Sequence, residues 1–224
     1  MSKTTNNQTV VGSTAITETK AVSTNFAHAA TDSEIEKARK ALELNGFKVT
    51  VVDALDDAKQ AVIKTVPKGS EVFTATSVTL DKSGLTEVLN SDNYVSVRNK
   101  FMPLYGQPDK AVEMKRIGSG SDYAVGSVHA LTQDGQALIA SATGSQLPNY
   151  VYGASNVIWV VGSQKIVKDL AQGLERIETH TFQLEDARAQ EAYGAHSSLN
   201  KILFYRQENP GRVSIILVKE SVGF

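Results

Sequence analysis

The stretch "NVIWVVG" (residues 156–162) leaves this chain few folds to choose from. Its apolar run is too short to cross a membrane and too rich in β-branched residues for a comfortable helix. It reads as a strand buried on both faces. Such a strand belongs inside a parallel sheet, and a parallel sheet needs helices to carry the chain back between strands.

The preceding sequence supplies that alternation. In "TDSEIEKARKALELNGFKVTVV", Thr31 and Glu34 have capping-box spacing, Ile35, Ala38 and Leu42 share a helical face, and Gly46 suits the stop. Phe47, Val49 and Val51 then alternate as in a strand. Asp53 is placed to cap a helix carrying Leu55, Ala58, Val62 and Val66, closed by Pro67-Lys68-Gly69. Strand-like "EVFTA" (71–75), helical "SGLTEVLN" and strand-like "YVSV" (94–97) follow.

Residues 108–116 read as helical. "SDYAVGSVHALTQDGQALIAS" holds two strand-like runs around Gln133-Asp134-Gly135, whose Asp-Gly pair predicts a hairpin. "KIVKDLAQGLERI" places Ile166, Leu170, Leu174 and Ile177 in helical phase, and "RVSIILV" (212–218) predicts a last strand. Residues 1–22, rich in Thr, Asn and Ser, are expected to form a mobile arm, and residues 23–224 a single α/β domain without internal repeats.

Charge and composition narrow the functions. With 23 basic and 24 acidic residues the chain has no excess of positive charge to drive nucleic-acid or membrane-surface binding. It has no cysteine, which removes disulfides, thiolate nucleophiles and thiolate metal sites. The start lacks the apolar centre of a signal peptide, so a cytoplasmic location is expected, with no membrane partner and no nucleic acid.

Nucleotide motifs fail on inspection. "GSGSDYAVG" puts Tyr123 where a dinucleotide fingerprint needs its third glycine, and no Gly-Lys-Ser/Thr triplet occurs. No nicotinamide or other cofactor is therefore expected. The four histidines, His28, His129, His180 and His196, show no metal-binding spacing. The Gly-x-Ser-x-Gly elbow of hydrolases is absent too.

Three polar clusters remain as candidate ligand sites. If "QALIAS" is a strand, Thr143, Gly144, Ser145 and Gln146 lie just past its carboxyl end, where open α/β sheets bind ligands. There Gly144 admits close backbone approach, and the neighbours supply hydroxyl and amide groups for an anion. A surface turn is the alternative. Ser77 and Thr79 precede a helix, where hydroxyls also serve as caps. Ser198 and Lys201, in "AHSSLNK", form the third cluster. The three clusters either converge on one cleft or cap separate elements; spacing leaves both open. His129 is the candidate proton carrier, against the alternative of a packed, hydrogen-bonded histidine. In "LEDARAQ", Glu185 and Asp186 read as helix-start acids, while Arg188 is a candidate anion ligand.

Taken together, "FTATSVTLDKSGLTEVL", "SVHALTQDGQALIASATGSQLPNYVYGASNVIWVVGSQKIV" and "GRVSIILVKESVGF" resemble the LUD (lactate-utilisation) domain family, lactate-utilisation protein C and its relatives. The resemblance runs from about residue 33 onward. It implies a three-layer α/β/α fold with a mostly parallel sheet, resembling the ribose-5-phosphate isomerase, glucosamine-phosphate deaminase and CoA-transferase superfamily, with ligands above the carboxyl ends of the strands. It also implies a role in L-lactate oxidation beside iron–sulfur partner proteins. Related sequences often carry asparagine at the His129 position and an asparagine–arginine pair at Ser145-Gln146, so ligand selectivity is expected to differ here.

Two functions follow as expectations. One is a subunit that binds a small anionic ligand and works with iron–sulfur lactate-utilisation proteins, docking through Tyr150, Tyr152 or "FMPLYG" (101–106). The other is a stand-alone enzyme of isomerase or acyl-transferase type acting on a phosphorylated or carboxylated metabolite. In that case Thr143, Gly144 and Ser145 hold the anion, Lys201 or Arg188 balances its charge, and His129 moves a proton. No acidic residue stands in those loops to carry an acyl intermediate.

Overall fold

A computed structural model of the protein describes residues 21–224. All but the last two residues of the expected arm, 1–22, lie outside the described residues. Helix α1 (Asp32–Leu44) starts at Thr31 with the capping box that its spacing predicts, and β1 (Lys48–Val52) follows. Helix α2 (Leu55–Thr65) has Ala54, one residue past the proposed Asp53, as its N-cap. Asp53 pairs with Lys219 at 2.9 Å instead, and Asp57 accepts the Ala54 N–H. Strand β2 (Glu71–Thr74), the short helices α3 (Val78–Ser83) and α4 (Leu85–Leu89), β3 (Val95–Ser96) and α5 (Val97–Phe101) come next. Helix α6 (Ala111–Ile117) leads into β4 (Ser121–Gly126).

The main sheet has six strands, all parallel, in the order β1-β10-β7-β4-β2-β3, where β7 is Ala154–Gly162 and β10 is Val213–Val218. The "NVIWVVG" segment is in its interior, as both-face burial requires. One face packs Val72, Val125, Ile158, Val160 and Ile216 under Ala58 and Val62 of α2 and under Leu80, Leu85 and Leu89 of α3 and α4. The other packs Phe73, Val157, Trp159, Val161 and Leu217 under α1 and α5. Helices thus cover both faces of the sheet, giving a three-layer α/β/α fold.

A second sheet was not anticipated. The segment read as two strand-like runs contains three strands: β4, β5 (Ala130–Thr132) and β6 (Ala137–Ser141). Only β4 joins the main sheet. The other two form the predicted hairpin, within a four-stranded mixed sheet of order β8-β5-β6-β9, with β8 at Ile166–Val167 and β9 at Lys201–Tyr205. Its inner face adds Leu131, Ala137 and Ile139 to the core around Trp159, and its outer face packs Ala130 and Leu138 against Ile177 and Phe26.

The helix expected from Lys165 starts later. Residues 163–165 form a 3₁₀ turn and Ile166–Val167 a strand, because the apolar pair is taken up by β5. Helix α7 (Leu170–Arg176) then begins with Asp169 as its cap. A π-helical turn, Ile177–Thr181, joins it to α8 (Phe182–Tyr193). Gly173, Arg176, Ile177 and His180, at helical spacing, are buried.

Candidate functional site

Residues Ser127–His129 carry the chain from the main sheet to the second one, at the carboxyl end of β4. The main sheet's strand order reverses there, since β2 is followed rightward by β3 and β4 leftward by β7. Gly126 lies against Tyr150: a Cβ there would sit 1.8 Å from the Tyr150 Oη. This glycine is set by space, not by backbone angle.

His129 stands in this seam. Its backbone N–H donates to Leu138 O, and its Nδ1 accepts the Ala140 N–H at 3.0 Å. The Nδ1 lone pair is thereby occupied, so the neutral ring carries its proton on Nε2. An edge of the residue reaches solvent, but the ring is enclosed. Desolvation first, then the positive charges of Lys165 and Arg176, hold its pKa down at about 3. With Nδ1 engaged, the neutral ring presents an oriented hydrogen-bond donor at Nε2.

Outward from His129 lies the predicted loop. Ser141 Oγ donates to Gln146 Oε1 and accepts the Gly144 N–H at 2.8 Å, while Gln146 Nε2 donates to Ala140 O. Gly144 has φ +86°, and the Lys201 stem runs beneath it, 3.0 Å from where a Cβ would be. Lys201 Nζ and Asn200 Nδ2 both donate to Ala142 O, and Asn200 also donates to Ser198 Oγ. The structure therefore brings together His129, Thr143, Gly144, Ser145, Gln146, Ser198 and Lys201. The loop does not cap a parallel strand as expected; β6 runs antiparallel between β5 and β9.

Other candidates stand apart. Ser77 caps α3, accepting the Leu80 N–H, and Thr79 is buried under Val222 and Gly223. Arg188 is held by both Glu185 carboxylate oxygens, which takes up the charge an anion would need. Of the proposed docking aromatics, Tyr150 is core at 1% exposure, whereas Tyr152 is 90% and Tyr105 72% exposed.

Inward from His129 lie two residues that the sequence reading missed. Lys165, fully buried, donates to Ser127 Oγ at 3.1 Å and Val128 O at 3.0 Å. Arg176, also fully buried, donates from Nη1 to His129 O and Thr181 Oγ1 and from Nε to Gln164 O. Burial, then the charge of Arg176, lowers the Lys165 pKa well below its usual value, and burial brings Arg176 down to about 10. The signal for Lys165 was a cation directly after the most apolar run, in "VVGSQKIV"; Arg176 had none, because apolar periodicity assigns cations to solvent.

Comparison with known proteins agrees with this architecture. The crystal structure of a DUF162 family protein from Deinococcus radiodurans superposes with a TM-score of 0.52 at 10% identity, covering 83% of this chain and 96% of that one. A search of curated proteins finds no match. The model of the LUD domain family matches residues 35–218, most of the 224-residue sequence, and the chain belongs to that family.

Proposed function

We propose that this protein acts in the cytoplasm as a ligand-binding subunit in L-lactate utilisation, taking a small anionic metabolite at the seam between its two sheets and working with iron–sulfur partner proteins. Family membership supports a role related to lactate utilisation. The observation that carries the ligand reading is His129, a neutral donor set between the Lys201-backed loop on one side and two buried basic side chains on the other. An oriented N–H beside basic groups favours an anion. The alternative, a stand-alone isomerase or acyl-transferase, needs a base or a carboxylate at the seam. His129 has its Nδ1 engaged, and the nearby acids Glu185 and Asp186 are taken by Arg188 and by His196 and the Ser197 N–H.

The test is a thermal-shift panel of lactate, pyruvate, phosphosugars, acyl-CoA and folates on the wild type and on Gly144→Val. That substitution strains a left-handed residue and pushes on Lys201. A compound that raises the melting temperature of the wild type and not of the variant is expected. Equal shifts in both proteins would put the ligand elsewhere. A pull-down that never recovers iron–sulfur proteins would remove the partner half of the proposal.

A further inference from the structure

Four basic side chains, His129, Lys165, Arg176 and His180, lie close enough to weigh on one another's protonation. Among the described residues none of the four forms an ion pair with a carboxylate. Burying an unpaired cation is expensive, and proteins usually set an acid beside it. Here the partners are all neutral: Ser127 Oγ and Val128 O for Lys165; His129 O, Thr181 Oγ1 and Gln164 O for Arg176. Arg176 Nη2 is wholly buried and has no hydrogen-bond partner. Lys165 has three N–H bonds and spends two. Both side chains bond neighbouring carbonyls, Val128 and His129, so their free N–H groups belong to one locality.

We infer that Lys165 and Arg176 form an inner site for one small monocarboxylate. This rests on the anion-binding function proposed above and names its ligand chemistry. Two free N–H groups, one from each residue, match the two oxygens of a carboxylate. A phosphoryl group presents three oxygens and a further charge, more than these donors serve. Burial and then the Arg176 charge lower the Lys165 pKa, and a carboxylate beside it favours the ammonium form. Ser23–Phe26 covers the cluster at the π turn, through Ser23 N–H to Thr179 O, the bond between Ser23 O and His180 Nδ1, and Phe26 against the His180 ring. A ligand reaches the site when this segment lifts.

The test is calorimetric titration of the full chain with sodium pyruvate, sodium L-lactate and inorganic phosphate. We expect a monocarboxylate to bind and phosphate not to compete. Lys165→Met should fold, because an apolar chain of similar length often replaces a buried charge without loss; it should bind at least tenfold more weakly. Arg176→Lys keeps the charge, loses Nη2 and should also weaken binding. Wild-type affinity in both Lys165→Met and Arg176→Lys overturns the inner site. Binding lost in Gly144→Val but unchanged in Lys165→Met overturns it too and leaves the outer anion site standing. No binding of any probe to the wild type overturns both.

Discussion

His129 joins stability to pH at the level of one side chain. Its ordinary pKa is 6.5 and its folded value about 3. Above 6.5 neither the folded nor the unfolded chain protonates it, and it contributes no pH dependence. Between 6.5 and 3 the unfolded chain takes a proton that the folded one refuses, so stability falls as the pH falls through that window. The slope is at most about 1.4 kcal/mol per pH unit, reduced by the solvent-facing edge of the residue. Urea titrations of the wild type and His129→Asn from pH 7.5 to 4 should differ by that slope; parallel curves would show that the ring is protonated in the folded protein. The same position separates packing from polarity. His129→Ala leaves the Ala140 N–H without its acceptor and should cost about 1–3 kcal/mol, while Asn, with a side-chain oxygen, should recover part of it.

At the level of elements, the tightest constraint is where β4 ends. A methyl group on Gly126 would overlap the Tyr150 Oη at 1.8 Å and meet Ala75 Cβ at 3.0 Å. Gly126→Ala should lower stability by about 1–3 kcal/mol, as overpacked cores do. Tyr150→Phe alone gives up only a 3.5 Å bond to Ser127 O and should cost less. The double variant should fall short of the sum of the two, because phenylalanine removes the worst overlap while its ring Cζ stays tight against the methyl at 3.0 Å; strict additivity in chemical denaturation would disprove the contact. Such elements also mark how far sequence carries. "KVTVV", "NVIWVV" and "RVSIILV" were legible because burial on two faces writes a continuous apolar run. The second sheet was legible only as a hairpin, since "QALIAS" alternates in the same way whether its partners are parallel or antiparallel. The loop at Thr143–Gln146 and its neighbour Lys201 could be read as polar clusters, but their meeting depends on β6 pairing with β9, which no local pattern encodes. Lys165 and Arg176 escaped because a pattern of apolar periodicity assigns cations to solvent.

For the whole molecule, stability should be graded. Strands β10, β7 and β4 each have a strand on either side, and Val213, Ile215, Leu217 and Val218 are fully buried. Their amides should exchange with deuterium only through global unfolding. The segment Ser23–Ala30 is mostly exposed around Phe26 and held by few bonds, so it should exchange through local opening, faster by orders of magnitude. Hydrogen exchange followed by mass spectrometry reads both at once. Equal protection of residues 23–30 and 213–218 would contradict the layered picture.

The place of β10 also sets a timetable. In the finished sheet β1 pairs with β10 alone, and β7 meets β1's side only across it. While the chain is being synthesised, residues 48–52 therefore wait for residues 213–218 before they have any strand beside them. At roughly 5–20 residues per second that wait is on the order of ten to thirty seconds. Throughout it "KVTVV" is an unpaired edge, joined after residue 162 by one side of "NVIWVVG", the form in which strands recruit the wrong neighbour. Slow translation past residue 162 would lengthen that exposure, and chaperone demand for this protein would rise with it.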